Sequence, residues 1–144
     1  MRVVDLLARK GSDVTTIGAD ASVTEALRRL ADRDVGALVV SEDGQRIRGI
    51  ISERDIVRAL AASGPAVLEG AVGAIMTSEV RSCDPDTTVD ELMALMTERR
   101  IRHVPVVIDE RLSGIVSIGD IVKHRISELE AETSTMHEYI WHGR

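Results

Sequence analysis

The sequence predicts an α/β (α+β) chain of two pseudo-symmetric repeats, each a small mixed sheet flanked by helices, with a further helix at the C-terminus. Three observations carry this. The stretch Gly49-Ile50-Ile51-Ser52-Glu53-Arg54-Asp55-Ile56-Val57 returns as Gly114-Ile115-Val116-Ser117-Ile118-Gly119-Asp120-Ile121-Val122. The patterns that precede it return in the same order. The 144 residues divide into modules of about 60, each too small to hide its own sheet well and so in need of the other's surface. The repeats are expected over 1–65 and 66–126, and a helical extension over 127–144.

In chain order, Val3 to Leu7 reads as a short apolar turn and Arg9-Lys10-Gly11-Ser12-Asp13 as a polar loop. Val14-Thr15-Thr16-Ile17 is β-branched enough for a short strand, and Gly18 to Ala21 forms a turn. Ser22 with Glu25 has capping-box spacing, and Val23, Ala26, Leu27 and Leu30 then share one helical face, which marks a core helix. Val35 to Val40 reads as a buried strand, Ser41 to Arg46 as a polar hairpin, and Ile47 to Ile51 as the return strand. Ser52 then begins a helix that Gly64-Pro65 ends. The second repeat follows suit: Val80 to Asp86 matches Val14 to Asp20, and Thr88 with Glu91 repeats the capping box. Val89, Leu92, Met93 and Met96 repeat the apolar face, and Ile101-Arg102-His103-Val104-Pro105-Val106 matches Val35 to Val40. Asp109-Glu110-Arg111 makes the shorter hairpin.

A glycine, two β-branched residues and then Ser-x-x-Asp describe a strand entering a helix. Such a junction leaves the first helical N–H groups open at the positive end of the helix dipole, which suits a phosphate or a ribose hydroxyl. Helix capping alone accounts for the same Ser-x-x-Asp spacing, so capping and ligand contact both stand for Asp55 and Asp120.

Composition narrows the partners. Against 18 basic residues stand 24 acidic ones, a net charge of −6, and no Lys/Arg stripe is long enough to follow a phosphate backbone, so nucleic acid is not expected. The one cysteine, Cys83, excludes an intrachain disulfide and fits a core thiol in a reducing cytoplasm. The first residues carry Asp5 and no long apolar run, and no stretch nears a membrane span, so neither export nor a membrane is expected. His124, His137 and His142 lack metal-ligand spacing, and Met76, Met93 and Met96 fit core positions. With no Walker loop, Gly-x-Gly-x-x-Gly or catalytic motif, no enzyme, metal or catalytic cofactor is expected.

The doubled Gly-h-x-Ser-x-x-Asp motif, Val35 to Val40 and Ile101 to Val106 together resemble a tandem pair of CBS domains, a Bateman module, over residues 1 to 126. The resemblance implies a regulatory unit that binds an adenosyl compound: AMP above all, or ADP, ATP, S-adenosylmethionine or a dinucleotide. In that family the aspartate holds ribose hydroxyls, the serine helps with phosphate, and strand residues of the partner repeat flank adenine. One site would combine Ser52, Arg54 and Asp55 with Val80, Arg81, Ile101, Arg102 and His103. Arg102 or His103 would meet phosphate through charge-assisted hydrogen bonds. The other would combine Ser117 and Asp120 with Val14, Gly36 and Ala37. It has less positive charge, so a nucleoside or no ligand is expected there.

Residues 121 to 142 continue as a helix with Val122, Ile126, Leu129, Thr133, Met136 and Ile140 on a heptad seam. Family members commonly form flat homodimers, and this helix is expected to contribute to one; docking on its own core is the other option. Both aromatic residues, Tyr139 and Trp141, fall here. Three classes of function remain, in order: an adenosyl-ligand sensor with an unknown effector protein, a ligand-free scaffold of the same fold, and an enzyme.

Overall fold

Helix α1, Val3–Lys10, opens the chain where a turn and a loop were expected. The Arg2 N–H donates to Asp5 Oδ2 at 3.0 Å, and Gly11, at φ 92, donates to the Leu7 carbonyl at 2.8 Å, so both ends are closed. The structure, a computed structural model, describes residues 1–142; the side chains of Glu138, Tyr139, Trp141 and His142 lie outside the described residues, and the expectation placed on Tyr139 and Trp141 lies there with them.

In the first repeat β1, Thr16–Ile17, runs parallel to β2, Ala37–Val40, which pairs antiparallel with β3, Gly49–Ser52. All of β2 is buried, whereas Val35 and Gly36, expected within it, precede the ladder because the Val35 N–H caps Leu30 of the preceding helix. That helix, α2, spans Val23–Arg33. Its capping box is half made: Ser22 Oγ accepts the Glu25 N–H at 3.1 Å, while the Glu25 carboxylate pairs with Arg28 and Arg29. Leu27, expected in the core, is 37% exposed and faces α3, Glu53–Ser63, across an apolar groove.

In the second repeat α5, Val89–Arg99, has the complete box from Thr88 and Glu91. Strands β4, His103–Ile108, and β5, Arg111–Ser117, form a two-stranded sheet. Asp109 and Glu110 turn the hairpin with φ of 50 and 64, the left-handed pair that a two-residue turn requires. Of the segment Val80 to Asp86, matched to the strand and turn of Val14 to Asp20, the strand part is reduced to a parallel bridge between Cys83 and Val106. Asp84 Oδ1 accepts the N–H groups of Asp86 and Thr87, and this turn with Pro85 takes the chain away from the sheet.

The two cores exchange helices. Val3 and Leu6 of α1 are buried with Val89, Leu92, Val104, Val116 and Ile121 of the second repeat. Val72, in the short helix α4 at Val72–Ile75, is buried with Ile17, Val23, Leu38, Ile51 and Ile56 of the first. Matching backbone bonds pin each visitor: Val3 N–H to Thr87 O at 2.8 Å, and Val72 N–H to Ala21 O at 2.8 Å. Neither half can bury its apolar face without the other, as its size requires.

Helix α6, Ile118–His142, starts at the second motif and runs unbroken through the tail. An ion pair from Arg125 to Asp90 binds its first half to α5, while Glu128, one turn on in α6, holds the same guanidinium. The seam residues Val122, Ile126, Leu129, Met136 and Ile140 are 50–65% exposed, so the tail does not dock on its own core.

Candidate ligand-binding groove

At the first junction β3 passes directly into α3. The Ser52 N–H and Oγ donate to Asp55 Oδ2 at 2.9 and 3.0 Å, and the Asp55 N–H donates to Ser52 Oγ at 3.2 Å. Thr77, placed by paired backbone bonds with Ile50, donates its hydroxyl to Asp55 Oδ1 at 3.2 Å. That crossing explains the motif glycine: a Cβ on Gly49 would lie 2.7 Å from Met76 Sδ and 2.8 Å from the Thr77 carbonyl.

The junction opens on a groove of about 510 Å³. Ser52, Arg54 and Asp55 stand on one wall and Ile101, Arg102 and His103 on the other, so six of the eight residues expected for the first site come together. Val80 and Arg81 do not line it, because the chain turns at Ser78, whose carbonyl accepts the Val80 N–H at 3.1 Å. Gly36, assigned to the second site, lines this groove instead, and a Cβ there would stand 3.1 Å from the His103 ring. The repeats meet at this point, and the missing side chain makes room for the imidazole.

Sequence reasoning missed Thr77, Arg58, Arg99 and Arg100, all of which line the groove. Arg58 follows Arg54 by one helical turn, and Arg99 and Arg100 directly precede Ile101, which are signals the sequence does carry. Thr77 has no such signal, since a bridge to Ile50 brings it there. The expectation of open helix-start N–H groups is corrected too. Glu53 N–H donates to Gly36 O and Asp55 N–H to Ser52 Oγ; at the other junction Ile118 N–H donates to Arg102 O and Asp120 N–H to Ser117 Oγ. Two of the first three helical N–H groups at each junction are thus taken, and those of Arg54 and Gly119 are left.

The second junction has the same cap and a different neighbour. The Ser117 N–H donates to Asp120 Oδ2 at 2.8 Å, and Lys10 Nζ donates to the same oxygen at 2.6 Å and to Ile115 O at 2.6 Å. Burial pushes the Asp120 carboxyl up, but the Lys10 and Ser117 bonds outweigh it and the net shift is downward. Ala37 is buried opposite Ser52 in the sheet, and Val14 is half-buried ahead of β1.

His103 sits between both junctions. Burial lowers its pKa below the ordinary histidine value, Glu53 and Asp120 oppose that, and Lys10 and Arg102 add to it. Arg102, a permanent cation, also lines the groove and can offer an anion a charge-assisted bond. Cys83 is a free thiol whose pKa burial and Asp84 push up to about 11, which makes it unreactive. Among the described residues no three His, Cys, Asp or Glu are grouped to hold a metal, and no helix is long and apolar enough to cross a membrane.

The family model described as CBS domain matches residues 4–62 and again 72–127. A mitochondrial CBS domain-containing protein, CBSX3 of Arabidopsis thaliana, is 40% identical over 128 residues, 86% of this chain and 62% of that one, so the chain spans less than two thirds of that relative. The crystal structure of the CBS-domain containing protein ATU1752 from Agrobacterium tumefaciens superposes with a TM-score of 0.84 at 48% identity, covering 87% of this chain and 99% of that one. The CBS domain pair of protein MJ0100, solved in complex with 5'-methylthioadenosine and S-adenosyl-L-methionine, superposes with a TM-score of 0.78 at 30% identity over 89% of this chain and 98% of that one.

Proposed function

We propose a regulatory role for this chain, which belongs to the CBS-domain family: it binds an adenosyl compound in the groove between its repeats and signals its level to an effector protein, without catalysis. AMP is the ligand we assign to the groove. Asp55 accepts the two ribose hydroxyls, Ser52 and Thr77 hold its carboxylate in place, and Arg54 and Arg102 face the phosphate. Adenine lies against Ile101 and Gly36, where no side chain obstructs it. The observation that carries this reading is the Asp55 carboxylate, oriented by three side-chain and backbone donors at the mouth of a groove that both repeats wall. The adenosyl ligands of the MJ0100 domain pair support the class. At the second junction Lys10 already satisfies Asp120, which favours one strong site per chain. We place the protein in the cytoplasm, in keeping with its single cysteine, as a homodimer joined along the α6 seam.

A thermal-shift screen over adenosine, AMP, ADP, ATP and S-adenosylmethionine, followed by calorimetry on Asp55→Ala and Asp120→Ala, tests this. Two hydrogen bonds to a charged acceptor are worth about 1.5–3 kcal/mol each before water compensates, so Asp55→Ala should lose at least about tenfold in AMP affinity and Asp120→Ala less than that. Equal affinity in the wild type and both folded variants would return both aspartates to plain helix caps.

A further inference from the structure

We propose that Lys10 is the residue that keeps the second junction closed to an adenosyl compound: its ammonium neutralises the carboxylate a ribose would need, and removing that charge gives the chain a second binding site. This rests on the adenosyl reading above and deepens it by naming what makes the two junctions unequal. The duplication supplies the comparison. Each motif glycine is crossed by one residue of the visiting segment, Gly49 by Met76 and Gly114 by Leu7. Beyond that matched pair the visitors diverge. At Met76 the backbone turns extended, and the Thr77 N–H donates to the Ile50 carbonyl at 2.8 Å while its hydroxyl donates to Asp55 Oδ1 at 3.2 Å. Past Leu7 the helix runs on for three residues to Lys10, whose Nζ donates at 2.6 Å to the Ile115 carbonyl and at 2.6 Å to Asp120 Oδ2. Ile115 and Asp120 each lie 65 positions after Ile50 and Asp55, the offset of the repeat. One ammonium thus takes over the strand carbonyl and the motif carboxylate that Thr77 serves at the first junction.

The exchange changes charge as well as shape. Thr77 is neutral and leaves Asp55 its negative charge, whereas Lys10 sets a positive charge against Asp120 where the two side chains are only 28% and 23% exposed. Solvent screens such a pair little. A ribose hydroxyl donating to a carboxylate without a counter-ion makes a charge-assisted bond; facing one already paired with an ammonium, it gains less unless it displaces that ammonium. The second motif offers no other charge, since Ile118 and Gly119 stand where the first has Glu53 and Arg54. The helix dipole accounts for part of this arrangement, because it favours cations in the last turn of α1, where Arg9 and Lys10 both lie. It gives no reason for the Lys10 ammonium to reach the two acceptors that match those of Thr77, 105 and 110 positions away.

The test is calorimetry of the full chain with adenosine and with AMP, on the wild type, Lys10→Met, Lys10→Gln and the double variant Lys10→Met/Asp120→Ala. Adenosine is included because Val14, Gly36, Ala37, Ser117 and Asp120 bring no cation to meet a phosphate. The wild type should bind one equivalent per chain. Lys10→Met leaves Asp120 without its counter-charge, so a second equivalent should appear, bound about tenfold or more tighter than the wild type binds there. The double variant should return to one. Lys10→Gln removes the charge but keeps a polar donor, and it gives the same reading where circular dichroism finds Lys10→Met unfolded. Two equivalents in the wild type, one in both neutral variants, or a second equivalent that survives Asp120→Ala would overturn this inference and leave the first groove as an adenosyl site. A wild type that binds none and a Lys10→Met chain that binds one through Asp120 would keep the inference and discard the first groove. No binding by any of the four proteins would overturn both.

Discussion

Asp55 and Asp120 hold the same place in a repeated motif and differ in what reaches them. Thr77 and Ser52 donate to the first; Lys10, arriving from the helix that the other end of the chain lends to this repeat, holds the second. The Lys10–Asp120 pair is about three-quarters buried, with side-chain exposures of 28% and 23%, so solvent screens it less than a surface pair. Its sign with pH follows from the lowered Asp120 pKa. A carboxyl whose folded pKa lies below its unfolded value contributes stability above the unfolded value, about 3.9, and loses it as pH falls through the folded one. Lys10→Met should therefore raise the pH at which the chain unfolds in acid, as followed by circular dichroism, and should leave stability at pH 7 lower. An acid midpoint unmoved by Lys10→Met would show that the pair adds nothing to the fold.

The strand-to-helix elements owe their opening glycine to the segments that cross them. At Gly49 an added methyl meets a backbone carbonyl, that of Thr77, at 2.8 Å, which cannot move without breaking the Ile50 bridge. At Gly114 it meets only the terminal methyls of Leu7, at 2.9 and 3.0 Å, which another rotamer can withdraw. Gly49→Ala should thus cost about 1–3 kcal/mol in denaturant unfolding and Gly114→Ala less. Equal costs would mean that the crossing elements yield alike. The elements themselves were largely legible, because caps and apolar spacing are local properties: Ser52, Thr88 and Gly64 mark helix ends where the sequence put them. Helix α1 was not, because Val3 and Leu6 alone do not reveal an apolar face until the second repeat covers it.

For the whole molecule, helix exchange makes one cooperative unit of two small repeats, and α6 carries an apolar seam outward from it. Five apolar side chains at heptad spacing, each at least half exposed, are the observation behind the homodimer proposed above. Removing residues 128–144 should weaken the dimer, read as a fall in mass by light scattering at low micromolar concentration. A truncated chain of unchanged dimer mass would place the interface elsewhere.

Helix caps, strand patterning and the Asp55 and Asp120 junctions could all be read in one dimension, since each depends on residues within a few positions of one another, and the duplication is a comparison of such local patterns. The composition of the groove could not. Thr77 reaches Asp55, Lys10 reaches Asp120 and Gly36 faces His103 across 22, 110 and 67 positions of chain respectively, and periodicity is silent about contacts at that range. The same holds for the five arginines that line the groove, Arg54, Arg58, Arg99, Arg100 and Arg102, scattered along the sequence as ordinary surface charge. They become a cationic groove because the two repeats pack with the start of α3 opposite the end of α5, an arrangement set by burying two incomplete cores at once.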